Sequence, residues 1–147
     1  MTNTSDTTLV RELAPTGVLR AALNMGNPVL AHSRTAPERP AGVTIDLARM
    51  LAGRLGVELQ LVEFGTPGES GAALSAGAAD VGFLAIDPNR ARTLRFTSSY
   101  VSIEGAYLVR EDSQLTDNAE VDRPGTRVVV GTASAYALFL ERHLAHA

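Results

Sequence analysis

Apolar and polar positions along this chain switch between two periods, and the switches mark its elements. Val18-Leu19-Arg20-Ala21-Ala22-Leu23 is a short apolar-rich run that predicts a strand, ended by Asn24. Leu47, Met50, Leu51 and Leu55 recur at helical spacing and predict a helix over 44–55. Thr44 is its expected N-cap, Asp46 sits in the first turn where the macrodipole favours a negative charge, and Gly56 is the expected left-handed C-cap. Residues 57–62 alternate at first and read as a second strand. A Gly/Pro/Ser loop over 64–71 follows, then a short helix over 72–76 closed by Gly77. Val81, Phe83, Leu84 and Ile86 predict a buried strand between Gly77 and Pro88. Ahead of Gly17 the chain is polar, with a short helix expected around 9–13. Residues 24–42, with three Pro and two Asn, read as irregular, and a loop of that length in a compact domain usually carries a function.

Strand, helix, strand, helix, strand up to residue 86 predicts an α/β fold with a parallel sheet and right-handed crossovers. Beyond it, 94–96 reads as a short extended piece and GAYLVR (105–110) as another strand. Residues 111–125 hold three Asp and two Glu and read as a linker or exposed loop. RVVVG (127–131) predicts a buried strand, and 134–145 an amphipathic helix with Tyr136, Leu138, Phe139, Leu140 and Leu144 as its apolar set. The expected organisation is a lead-in (1–16), an α/β lobe (17–110), an acidic connector (111–126) and a strand–helix unit (127–147). A lone strand–helix unit cannot bury both apolar faces. It must pack on the first sheet, be covered by a partner chain, or begin a second lobe that is incomplete here.

Composition narrows the classes. At 147 residues the chain is one domain, or one domain and a fragment of another. An apolar fraction of 45% allows a core, and a net charge of −3 without a basic run argues against nucleic acid as the main partner. All 13 basic residues are Arg, a bias from which no function follows. Without Cys there is no disulfide, thiol catalysis or Cys-ligated metal. No metal-ligand spacing is present, and no cofactor is expected. The N-terminus has neither the basic nor the apolar region of a secretory signal, and no apolar stretch is long enough to span a bilayer. As written, the chain reads as soluble and cytoplasmic.

The chemistry concentrates in DVGFLAIDPNRARTLRFTSSY (80–100). The turn Asp87-Pro88-Asn89 delivers Arg90 just beyond the expected strand's C-terminal end, where open α/β sheets bind ligands. A guanidinium there suits a carboxylate or phosphate, because its planar fork donates two parallel hydrogen bonds. The plain alternative is a surface ion pair between Arg90 and Asp87. Farther on, Thr132 and Ser134 precede a helix and read as ordinary N-capping residues. His32, His143 and His146 form no recognisable catalytic arrangement, and the last two suit a helix C-terminus.

In order and spacing these pieces resemble a known family. Residues 17–147 look like the N-terminal part of a type 2 periplasmic solute-binding protein, the family-3 extracellular binders that deliver amino acids and related solutes to ABC importers. The matching pieces are GVLRAALN, AGVTIDLARMLAGRLGVEL, LSAGAADVGFLAIDPNRARTLRFTSSY, GAYLVR and RVVVGTASAYALFL, with Arg90 followed by Phe96-Thr97 and then Tyr100. The resemblance implies a type 2 lobe plus the first strand–helix unit of a second lobe, and a periplasmic location. It implies that Arg90 holds a ligand carboxylate, joined by Thr132, Ala133 and Ser134 at the start of the later helix. It also assigns Asn24, Asn27, Thr66, Ala85 and Asp87 to the ligand site. Asn24 stands where such proteins place an acid for an ammonium, and Asn27 near their aromatic. Ala85 and Asp87 replace their hydroxyl-bearing residues. An Asn cannot neutralise an ammonium, and Asp87 stands close enough to Arg90 to compete with a ligand.

Three functions follow as expectations. The first is a binder of a small anionic or zwitterionic solute, an amino acid or organic acid, partnered by an ABC importer permease. The second is an enzyme on the same scaffold, resembling cyclohexadienyl or arogenate dehydratases, with Asp87 or Glu69 as general acid. The third is a lobe that forms a homodimer by exchanging its 127–145 unit.

Overall fold

The computed structural model describes residues 4–34 and 39–147, which divide into two compact units, one running to Ala85 and one from Ile86 to Ala147. The first contains α1 (Thr4–Leu13), β1 (Val18–Asn24), β2 (His32–Arg34), β3 (Arg39–Ala41), α2 (Val43–Leu55), β4 (Glu58–Phe64), α3 (Pro67–Ser75) and β5 (Val81–Gly82). Its main sheet has the order β4-β1-β5, and both pairings are parallel, as the alternation of elements predicts. β1 lies at the centre and runs beside β4 from Val18↔Glu58 to Asn24↔Phe64. Leu19, Ala21, Ala22 and Leu23 are all buried, which explains why the run does not alternate: a central parallel strand is covered on both faces.

Leu19 and Leu23 share one face of β1, because side chains four positions apart on a strand point the same way. Leu19 packs with Ala14 and Ala52, flanked by Leu51, Leu55 and Leu59. Leu23 packs with Ala31 and Ile45, flanked by Met25, Leu61 and Phe83. α2 thus covers both leucines. α3 also lies against β1, and there Ser70 and Gly71 are buried. The Ser70 hydroxyl has no hydrogen-bond partner among the described residues.

Several boundaries differ from the sequence reading. α1 is longer than expected, starting at Thr4. α2 begins at Val43 with Gly42 at the N-cap, so Thr44 does not cap it. Thr44 is buried, and its hydroxyl instead donates to the Leu30 carbonyl at 3.1 Å. Gly42 has φ 125°, and a Cβ there would collide with the Leu30 carbonyl oxygen. Gly56 is the left-handed C-cap, as expected, with φ 68°. α3 starts at Pro67 rather than 72, because Thr66 and Glu69 form a reciprocal capping box. The 24–42 stretch is not wholly irregular: β2 and β3 pair antiparallel, His32 opposite Ala41, while residues 35–38 of that stretch lie outside the described set. β5 is two residues long, so Phe83 to Ile86 are not the expected strand, and Ile86 is exposed.

The second unit contains 3-10 turns at Arg90–Arg92 and Asn118–Glu120 and one helix, α4 (Ala135–His143). Ser134 caps α4 by accepting from the Ala137 N–H at 3.1 Å. Neither 105–110 nor 127–131 forms the strand its pattern predicts. A strand needs a hydrogen-bonded neighbour, and none pairs with these runs among the described residues. Leu108 is fully exposed, and Val129 is 97% exposed. Val128 and Val130 instead line a shallow cleft of ≈ 230 Å³ with Ala137, Leu140 and Leu144. Asp122 gathers the backbone N–H groups of Ala145, His146 and Ala147 at 2.7–3.1 Å, which lower its pKa and secure the segment after α4.

Candidate functional site

Within the second unit, the turn at 87–90 and the start of α4 form one charged cluster. Asp87 is 3% exposed and organises the turn. Its Oδ1 accepts from the N–H of Asn89 at 2.8 Å and of Arg90 at 3.4 Å, an arrangement Asp favours before a tight turn. Its backbone carbonyl accepts from Ala91 at 2.9 Å. Its Oδ2 accepts from Arg142 Nη2 at 2.8 Å. The ion pair that Asp87 makes is therefore with Arg142, 55 residues on, and not the local surface pair weighed from sequence. Burial pushes the Asp87 pKa up, but the hydrogen bonds from Arg142 and the two N–H groups outweigh it and hold the carboxyl below its ordinary value.

Arg90 is partly buried, and its Nη2 donates to the Ala133 carbonyl at 2.9 Å. Burial works against the guanidinium's charge, and the Asp87 carboxylate works in its favour. Ala133 has φ 54°, the one positive φ of a non-glycine among the described residues. Strained backbone of this kind is stored mostly where surrounding contacts dictate it. Here the carbonyl bound by Arg90 and the Ser134 cap fix Ala133 from both sides. Thr132 is exposed beside it. The second unit thus brings Arg90, Asp87, Thr132, Ala133 and Ser134 together, on the turn and at a helix N-terminus suited to an anion.

The other expected site residues belong to the first unit. Asn24 ends β1 and accepts from Gly26 N at 3.1 Å through its side chain, and Asn27 does the same for Val29 N at 3.3 Å. Phe64 ends β4, and its carbonyl accepts from Met25 N at 2.8 Å, so the 24–27 and 64–66 turns meet at the carboxyl edge of the sheet. Thr66 is exposed there, with its hydroxyl accepting from Glu69 N at 3.2 Å while Glu69 Oε2 accepts from Thr66 N at 3.0 Å. Ala85 is the exposed last residue of that unit. Arg142 was not foreseen. Nothing near it in sequence betrays a partner so far upstream.

A model of the bacterial extracellular solute-binding proteins, family 3, matches residues 19–137. The fold is similar to that of an ancestral amino acid-binding protein described as a precursor of cyclohexadienyl dehydratase, at 24% identity over 92% of this chain and 61% of that one, with a TM-score of 0.74. An amino acid ABC transporter substrate-binding protein from Streptococcus pneumoniae, bound to L-arginine, is similar at 25% identity over 60% of this chain and 39% of that one, TM-score 0.55. The arginine-bound domain 1 of the T. maritima protein TmArgBP, as a point mutant, is similar at 26% identity over 63% and 71%, TM-score 0.55. The chain spans less than two thirds of the length of the first two. No curated protein matches it.

Proposed function

The chain belongs to the bacterial extracellular solute-binding proteins of family 3, and on that footing we propose that it holds the carboxylate of a small solute between Arg90 and the start of α4, on behalf of an ABC importer. The observation that carries this reading is the 2.9 Å hydrogen bond from Arg90 Nη2 to the Ala133 carbonyl, which sets a guanidinium beside the N-terminus of a helix. Both groups favour negative charge. The reading takes 17–110 as lobe one, 111–126 as the connector and 127–147 as the start of lobe two, with a periplasmic location. Two of the solved relatives are described as arginine-bound, which puts amino acids first among candidate solutes. Asn24, in place of an acid, keeps organic acids beside them.

Calorimetry against a panel of amino and organic acids tests the proposal. A saturable response to at least one carboxylate is expected, and its loss in Arg90→Ala with the circular dichroism spectrum retained. A folded protein that answers to none would overturn it. The dehydratase reading needs a proton donor near neutral pH. Asp87 is an ion-paired carboxylate with a lowered pKa, and Glu69 serves a helix cap, so neither suits that role. Turnover of prephenate or arogenate would reverse this preference.

A further inference from the structure

We propose that Arg142 is a positioning residue for the Arg90 clamp: by engaging Asp87 it keeps a buried carboxylate from rivalling the carboxylate of the solute. The inference rests on the reading of Arg90 given above. Asp87 is 3% exposed and stands three residues from Arg90, close enough for its charge to act on the guanidinium. A buried carboxylate at that distance is a ready-made internal counter-ion. Arg142 meets its Oδ2 at 2.8 Å, and its Oδ1 accepts from the N–H groups of Asn89 and Arg90.

The cluster then holds two guanidinium groups and one carboxylate, a net charge of +1, and attracts an anion. Without Arg142 the net charge is zero, and the Asp87 carboxylate has lost the partner that offsets its burial. Such a group turns to the nearest remaining cation. The geometry adds a second role. Arg142 lies in the last turn of α4, whereas Ala133, bound by Arg90, lies just before its first. The Asp87–Arg142 and Arg90–Ala133 contacts therefore hold the 87–90 turn to both ends of one helix. Arg142 sets where the helix start stands relative to Arg90 without touching the solute itself.

The test measures binding of L-arginine and of succinate, one probe with an ammonium and one without, to the full chain. Arg142→Gln is expected to weaken binding by about tenfold or more, because the freed Asp87 carboxylate then competes with the solute for Arg90. The double variant Asp87→Asn/Arg142→Gln removes the rival carboxylate and is expected to return affinity to within about threefold of the parent, a coupling that simple loss of packing would not produce. Wild-type affinity in Arg142→Gln, or a folded double variant no better than the single, would overturn the inference. Should Arg142→Gln not fold, the double variant decides alone: recovered affinity supports the inference and weak affinity sinks it. Arg90→Ala, run in parallel, separates the two readings. If it abolishes binding while Arg142→Gln does not, the clamp stands and the positioning role falls. If it binds like the parent, both fall; if the parent binds neither probe, the positioning inference falls and the clamp reading is decided by the wider panel.

Discussion

Arg20 and Asp80 are joined by four hydrogen bonds across the β1–β5 edge of the first unit. Arg20 N and Nε donate to Asp80 Oδ2 at 2.8 and 3.0 Å, Nη2 donates to Oδ1 at 2.6 Å, and Asp80 N donates to the Arg20 carbonyl at 2.8 Å. Nη2 also donates to the Gly77 carbonyl at 2.9 Å, so one side chain ties β1 to the turn after α3. The forked geometry makes these charge-assisted bonds directional as well as strong.

Acid unfolding should therefore depend on Asp80. The hydrogen bonds from Arg20 lower its folded pKa against the effect of burial. A carboxyl with a depressed folded pKa stabilises the native state above its unfolded value, near pH 4, and loses that contribution as pH falls through the folded value. Asp87, Glu120 and Asp122 are shifted in the same direction and add to the effect. Denaturant midpoints measured from pH 7 down to pH 2 should fall steeply in the parent and less steeply in Asp80→Asn, which should already be less stable at pH 7. Parallel curves for the two proteins would show that the pair contributes nothing to the linkage.

Gly42 is required on two counts, its φ of 125° and the proximity of the Leu30 carbonyl. Gly42→Ala should destabilise the protein by about 2 kcal/mol or more, since strained backbone and a collision with main chain coincide. Urea unfolding measures it, and a cost below about 0.5 kcal/mol, the range of neutral surface changes, would refute the assignment.

Ser70 offers the opposite sign. Its hydroxyl is buried without a partner among the described residues, so Ser70→Ala removes a desolvated polar group. The expected change lies between no effect and about 1 kcal/mol of added stability. Thr66→Ala, by contrast, deletes the α3 cap and should cost about 1 kcal/mol. Thermal unfolding should leave Ser70→Ala at or above the parent's midpoint and lower that of Thr66→Ala; a lowered midpoint in Ser70→Ala would show that its hydroxyl is satisfied.

Ala133 holds a conformation that L side chains rarely adopt. Ala133→Gly should raise stability by about 0.5–1 kcal/mol. It should also loosen the start of α4, seen as faster hydrogen exchange at the N–H groups of residues 132–137. A drop in stability would mean that the left-handed backbone is not strained here.

Val129 is 97% exposed and Leu108 fully so. Val129→Lys should leave unfolding free energy unchanged within about 0.5 kcal/mol, because nothing in the folded unit packs on that side chain. Light scattering at rising concentration should show less self-association in Val129→Lys than in the parent, since burying a bare apolar side chain against another copy is favourable. Equal association in both would exclude the 127–131 run as a sticky surface.

Local pattern alone determined much of this protein. The central strand Val18–Asn24, the helix ending at Gly56 and the helix capped by Ser134 are legible because their signals lie within a few residues: an unbroken apolar run, a 3.6-residue repeat, a glycine able to take positive φ. The turn that carries Arg90 was legible for the same reason, from Asp87-Pro88-Asn89 placed after an apolar run. Tertiary structure alone decided what depends on distant partners. RVVVG and GAYLVR have every local mark of strands, yet a strand exists only when a neighbour takes its hydrogen bonds, and periodicity carries no information about whether one is there. Thr44 has the chemistry of a cap, but the Leu30 carbonyl claims its hydroxyl from fourteen residues away. Asp87 looked like the natural partner of Arg90. Its carboxylate is instead engaged by Arg142, because an ion pair forms where the folded chain brings the charges together and desolvates them, whatever their separation in sequence.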